Sequence, residues 1–192
     1  MAILTAEILE QRAKALSQPA EFAAEAAHGH GLHAHLFFRC GGETLALPLT
    51  RALEILHAPK VTPIPGVPDE IAGVINVRGT IVDVISLERL LELPGQRQAD
   101  PAGRRVILCE ADGGSFGLEV DGVTGIQPIP PEDLLSAGDS VLAATAAYLA
   151  GVARVGPSRQ QLVSVLDVSR VLESPRFESV RQSRTEPEPP CR

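Results

Sequence analysis

The amino-acid sequence predicts a mostly β protein in which two similar small barrels pack side by side, with short helices and one N-terminal helix. Three observations carry that prediction. Apolar residues come in short runs, several alternating with polar residues, and Gly and Pro punctuate the runs. This is the pattern of short strands joined by tight turns, and many such strands at regular spacing suggest small barrels. The 192 residues are 44% hydrophobic but only 3% aromatic, with no Trp, so the core must be built from Val, Ile, Leu and Ala. The third observation is an internal duplication, and a repeat sets the architecture before any single motif does.

Residues 1–34 stand apart from the rest. Thr5 can cap a helix with an apolar stripe of Leu4, Ile8, Leu9, Ala13 and Leu16, and Pro19 ends it. A helix this short is marginal alone, so it docks on the body or on a partner. His28, His30, His33 and His35 then place four imidazoles within eight residues. Imidazole is the commonest metal ligand, but the interleaved glycines leave the ligands unpositioned. The segment is read as a linker, and a metal-binding or metal-sensing module is the alternative.

The body runs over residues 35–173. Leu36–Cys40 reads as a strand, Gly41-Gly42 as a turn, and Leu45, Leu47 and Leu49 alternate with Ala46 and Pro48. Ala52–Ala58 is another extended piece and contains Glu54 and His57. Pro63, Pro65 and Pro68 then hold the chain extended. Two apolar runs follow, Ile71–Val77 and Thr80–Ile85, joined by Arg78-Gly79. Gly79 supplies a positive φ cheaply, so the pair reads as a tight hairpin turn with Arg78 at its tip. Leu93–Gly103 is a polar Pro/Gly linker. Arg105–Glu110 and Phe116–Val120 flank a turn at Asp112-Gly113-Gly114. Residues 174–192 have little to bury, which predicts a disordered tail.

The repeat divides the body at about 35–98 and 104–173, with strand exchange between the halves left open. Leu45–Leu49 matches Phe116–Val120, and Val61–Pro65 matches Ile126–Pro130. Ile71–Val74 matches Leu149–Val152, and Ile81–Leu91 matches Leu162–Leu172. The last match puts Ser86 on Asp167, both suited to cap a short helix, and Arg89 on Arg170. The second half is read as keeping the scaffold while lacking the Asn76-Val77-Arg78-Gly79 tip.

Composition removes several functions. With 17 Lys and Arg against 24 Asp and Glu, the net charge is −7, which opposes a nucleic-acid partner. Cys40, Cys109 and Cys191 are odd in number and contain no Cys-x-x-Cys, which suits reduced thiols in a cytosol. The first apolar residues lack a basic leader and are interrupted by Glu7 and Glu10. No apolar run approaches the ~20 residues of a membrane span. A cytoplasmic protein without direct membrane insertion is expected. No nucleophile motif or phosphate loop occurs, so neither an enzyme nor a bound cofactor is expected.

The stretch Ile64-Pro65, Pro68, Ile71, Gly73-Val74-Ile75-Asn76-Val77-Arg78-Gly79 and Val84-Ile85-Ser86-Leu87 resembles the CheW-type chemotaxis coupling proteins. Phe116–Asp121, Ile129–Asp133 and Leu149–Val152 are similar to that family's second half. The resemblance implies two SH3-like five-stranded barrels and a non-enzymatic adaptor. Its implied partners are the regulatory domain of a CheA-type histidine kinase and the cytoplasmic tip of a chemoreceptor, in receptor arrays. Arg78 falls on the family's hairpin arginine and Glu54 on a glutamate near the same surface. Gly73, Val74, Asn76, Gly79 and Asp83 complete the implied partner-binding set. Asp83 and Ser86 depart from the family's usual proline and aspartate; the serine is expected to retain a capping oxygen.

Overall fold

The structure, a computed structural model, describes residues 33–93, 103–111, 114–136, 143–156 and 159–174. The predicted N-terminal helix, His28, His30, most of the 93–103 linker, Asp112-Gly113 and the tail from residue 175 lie outside the described residues.

Among the described residues, eleven strands form two sheets. From the first half come β1 (Ala34–Cys40), β2 (Glu43–Pro48), β3 (Ala52–His57), β4 (Ile71–Val77) and β5 (Thr80–Ser86). From the second come β6 (Arg105–Ala111), β7 (Gly114–Val120), β8 (Gly122–Pro128), β9 (Leu134–Leu135), β10 (Leu149–Val155) and β11 (Gln161–Leu166). Among the described residues three short helices accompany them: α1 (Leu87–Leu90), α2 (Ala143–Ala146) and α3 (Val168–Leu172). Alternation along the strands explains their faces. In β4, Ile71, Gly73 and Ile75 are buried while Ala72, Val74 and Asn76 are not.

The expected closed five-stranded barrels are not formed. One sheet has six strands in the order β8-β1-β2-β11-β10-β9, the other five in the order β3-β6-β7-β5-β4, and both are open. Among the described residues, the outer edge of β4 is met only at Val74, through a bridge to Thr62. Pro63 and Pro65 follow Thr62 and have no N–H to extend a ladder. At the other sheet, β9 supplies two residues to β10. Each sheet also draws strands from both halves. The junctions are the parallel pairings of β2 with β11 and of β5 with β7.

The duplication is structural. Substituting β1, β2, β3, β4 and β5 by β6, β7, β8, β10 and β11, and the reverse, turns one strand order into the other. The Thr62 bridge then takes the place of β9. Gly73 and Gly151, aligned by the sequence repeat, both flank a register shift against the next strand. A Cβ on Gly73 would land on the Thr62 carbonyl oxygen, and one on Gly151 on the Leu135 carbonyl oxygen. Each glycine thus lets an outer segment lie directly on its strand. The Val61–Pro65 match fails, however. Thr62 bridges β4, whereas Ile126, Gln127 and Pro128 pair with β1.

Packing follows the same symmetry. Ile75, Val82, Val84 and Leu108 make a small core inside the curl of the five-stranded sheet, and Ala153, Val163, Val165 and Phe37 make its counterpart in the other. A larger core lies between the sheets. It takes Leu36, Phe38, Leu45 and Leu47 from one side, and Ile85, Ile107, Phe116 and Leu118 from the other. Leu87 and Leu90 of α1 and Val168 and Val171 of α3 are buried in it too. Asp167 caps α3 as expected, accepting from the Ser169 and Arg170 amides, but the Ser86 side chain makes no such bond to α1. Ser86 is buried instead, its amide donating to the Glu70 carbonyl at 2.8 Å. Arg89 and Arg170 both donate to backbone carbonyls, those of Asp69 and Leu149, each at 2.8 Å.

Cys40 and Cys109 are free thiols inside the shared core. Burial pushes the Cys109 thiol up to about 12 from its ordinary 9.0 and raises Cys40 further, with Asp121 adding to it.

Two predictions follow from the packing. Gly73→Ala and Gly151→Ala should each destabilise the protein by about 2 kcal/mol or more, since backbone must move to admit the methyl group. Urea unfolding midpoints measure this, and an unchanged midpoint would contradict the close approach. Cys40 and Cys109 should resist a maleimide in the native protein and react in denaturant, as read by peptide mass mapping. Between pH 9.0 and about 12 only the unfolded chain releases the Cys109 proton. Stability should therefore fall as pH rises through that window, by up to about 1.4 kcal/mol per pH unit for each such thiol.

Candidate functional site

The β4–β5 hairpin is closed by the Val77–Thr80 pair, leaving Arg78 and Gly79 as its two-residue loop. Their φ values are +52° and +91°. Positive φ at both positions defines a type I′ turn, whose twist matches that of the flanking strands. The Asn76 side chain fixes the loop, its Oδ1 accepting from the Gly79 amide at 2.8 Å. Holding a non-glycine residue in this region costs about 1–2 kcal/mol. The sequence reading anticipated the positive φ of Gly79 but not that of Arg78.

The Arg78 side chain is 81% exposed, and its Nη2 donates to Glu54 Oε2 at 3.0 Å. Glu54 stands on β3, at the far edge of the same sheet from β4. The open sheet therefore curls far enough for the tip of one edge hairpin to reach the opposite edge strand. The pair is solvated, and an exposed ion pair is typically worth under about 1 kcal/mol.

The remaining predicted residues occupy distinct places. Val74 and Asp83 face each other across β4 and β5, and both are half-buried. Two residues nearer the tip, on the same face, Asn76 faces Ile81, whose side chain is exposed. Gly73 is buried under Thr62 on the opposite face. Ile75, Val82 and Val84 also lie on that opposite face and are core.

The second half carries a comparable tip that the sequence reading missed. Arg159, in the β10–β11 connection, has φ +50° and pairs with Asp133 at 3.0 Å. Extending the Ile81–Leu162 match three residues upstream places Arg159 on Arg78, so the signal was present. The loop is longer, and the acidic partner comes from a 3-10 turn (Pro131–Asp133) rather than from a strand.

No group of three or more His, Cys, Asp or Glu among the described residues is arranged to hold a metal ion. The His35 Nδ1 lies 2.7 Å from the His33 carbonyl, and burial lowers the His35 pKa. No helix among the described residues is long and apolar enough to cross a membrane.

Two pseudo-equivalent sheets, each with an ion-paired arginine at positive φ between its outer strands, make up a duplicated module. The family profile described as a CheW-like domain matches residues 34–176, and the chain belongs to that family. It is 32% identical to Protein FrzA of Myxococcus xanthus over 148 residues, covering 74% of this chain and 87% of the relative. It is 34% identical to Protein PilI of Pseudomonas aeruginosa over 117 residues, covering 60% and 64%. The crystal structure of the scaffolding protein TtCheW from Thermoanaerobacter tengcongensis superposes with a TM-score of 0.67 at 26% identity, covering 77% of this chain and 93% of that one. The chain is a non-enzymatic adaptor of the CheW type, with a general role in coupling receptors to a CheA-type kinase.

Because the Arg78–Glu54 pair is solvated while Arg78 sits in a left-handed conformation, Arg78→Asn should keep or raise stability by up to about 1 kcal/mol, Asn-Gly being a favoured I′ pair. Thermal melts test this, and a loss above about 1.5 kcal/mol would show that the ion pair is structural.

Proposed function

We propose that this adaptor bridges the regulatory domain of a CheA-type histidine kinase and the cytoplasmic tip of a chemoreceptor, on the cytoplasmic side of receptor arrays. The β4–β5 tip is its contact surface. One observation supports this most: a conformationally costly, solvent-facing arginine held on a fixed hairpin, with Glu54 beside it. A group kept at a cost to the free chain, and with little local return, is better explained by what it meets. Glu54 aims the guanidinium and Asn76 fixes the turn. Gly79 and Gly73 let the backbone take its shape, and Val74 and Asp83 flank the tip on the exposed face of the hairpin.

Replacing the cation by an anion beside Glu54 reverses the tip's charge without touching the core. Arg78→Glu should weaken the complex with kinase and receptor at least about tenfold, the effect of losing ~1.4 kcal/mol at an interface. The fold should remain intact by circular dichroism. Calorimetric titration of the kinase regulatory domain and pull-down of the ternary complex measure it. Undiminished binding by the folded variant would remove Arg78 from the contact. Failure of the unsubstituted chain to bind any kinase of its own cell would overturn the bridging role.

A further inference from the structure

The two halves furnish the outer edge of their tip hairpins differently. In the six-stranded sheet, β9 runs antiparallel along β10 toward the tip, with Leu135 against Val152 and Leu134 against Ala153. The residue before β9 is Asp133, which pairs with the tip arginine, Arg159, at 3.0 Å. In the five-stranded sheet Thr62 takes the place of Leu135, since the carbonyl oxygens of these two residues lie over the equivalent glycines, Gly73 and Gly151. Counting back two residues from each puts Lys60 in the place of Asp133. Lys60 is exposed and, among the described residues, forms no ion pair.

The edge of β4 is bare next to its tip. Thr62 and Val74 exchange amide-to-carbonyl hydrogen bonds at 2.8 Å. Backbone groups alternate along a strand, so Asn76, two residues on, also turns its N–H and C=O to the outer edge. Among the described residues, neither of these groups has a backbone partner. Asn76 is exposed, and its side chain is occupied by the Gly79 amide. Arg78 commits one nitrogen, Nη2, to Glu54. The second tip thus has a carboxylate built in on a segment lying along the hairpin edge. The first tip has two exposed cations there and an unpaired backbone N–H and C=O.

We propose that the kinase regulatory domain supplies the missing part as an extended acidic segment. This rests on the kinase contact at Arg78 proposed above. The segment runs antiparallel to β4, hydrogen-bonds the Asn76 backbone and sets a carboxylate between Lys60 and Arg78, as Asp133 and β9 do for Arg159. In strand addition, main-chain bonds give affinity and side chains give selectivity. Here the free edge is short, since Thr62 occupies Val74 and Pro63 and Pro65 follow it. Selectivity therefore falls to the two cations, which favour an acidic segment over a neutral one.

Amide exchange by NMR on the full chain, alone and saturated with the regulatory domain of its own cell's CheA-type kinase, tests this. The Asn76 amide should exchange freely in the unbound chain and slow at least about tenfold in the complex. Lys60→Glu, a change at an exposed residue, should raise the calorimetric Kd about three- to tenfold with an unchanged melting temperature. An Asn76 amide that stays at its unbound rate, or a Lys60→Glu variant that binds as the wild type does, overturns the proposal while Arg78→Glu still weakens the complex. Binding indifferent to Arg78→Glu, or no binding by the unsubstituted chain, removes the Arg78 contact itself and this inference with it.

Discussion

Everything in this fold depends on the aliphatic core shared between the two sheets. Neither half of the sequence owns it. β1 and β2 supply Leu36, Phe38, Leu45 and Leu47, while β6 and β7 supply Ile107, Phe116 and Leu118, and the two pairs lie in different sheets. Around Phe38 and Phe116, this core gains its stability from many Leu, Ile and Val side chains, each worth about 1.5–3 kcal/mol when fully buried. The exchange of strands enforces their convergence. β5 docks parallel on β7 and β11 docks parallel on β2, so each sheet requires the other half of the chain. The hairpin tips project from the outer ends of this block, and their positions are fixed by a core they do not touch.

Internal symmetry separates the features that both halves share from those particular to one. Gly73 and Gly151 recur because both sheets need an outer segment to cross a strand without a side chain in the way. Arg89 and Arg170 recur because each binds a backbone carbonyl near the start of its sheet's outer hairpin, Asp69 just before β4 and Leu149 at the first residue of β10. The tips recur only in part. Both place an arginine at positive φ against a carboxylate, yet Glu54 is half-exposed whereas Asp133 is nearly covered. The first tip is the freer of the two to change partners, and it stands on the shorter, more constrained turn.

Much of this was legible in the sequence, because the signals were local. Alternating apolar residues gave the strands, Arg78-Gly79 gave the turn, and Asp167 gave a cap. The glycine match at positions 73 and 151 marked true equivalents. What escaped was set by distant contacts. Open rather than closed sheets follow from edges that meet proline-bearing segments, and the pairing of β2 with β11 has no local signature. Ser86 has a capping oxygen but is buried, so residue type alone misled. Arg159 escaped for a different reason. The β10–β11 connection is three residues longer than the β4–β5 loop, so the two tips do not align although the strands after them do. The Arg78–Glu54 contact was foreshadowed only by family resemblance, since 23 residues intervene in the chain and three strands lie between β3 and β4 in the sheet.

The central claim is that Arg78 is held out for a partner and does not serve merely to latch β3 to the hairpin. A charge exchange separates these roles. The double variant Glu54→Arg, Arg78→Glu restores an ion pair of the same length and exposure while reversing which side chain stands at the tip. Its affinity for the kinase regulatory domain should stay as low as that of Arg78→Glu alone, with unfolding stability within about 0.5 kcal/mol of the wild type. Recovery of wild-type affinity in the double variant would contradict the account, because a restored latch would then suffice.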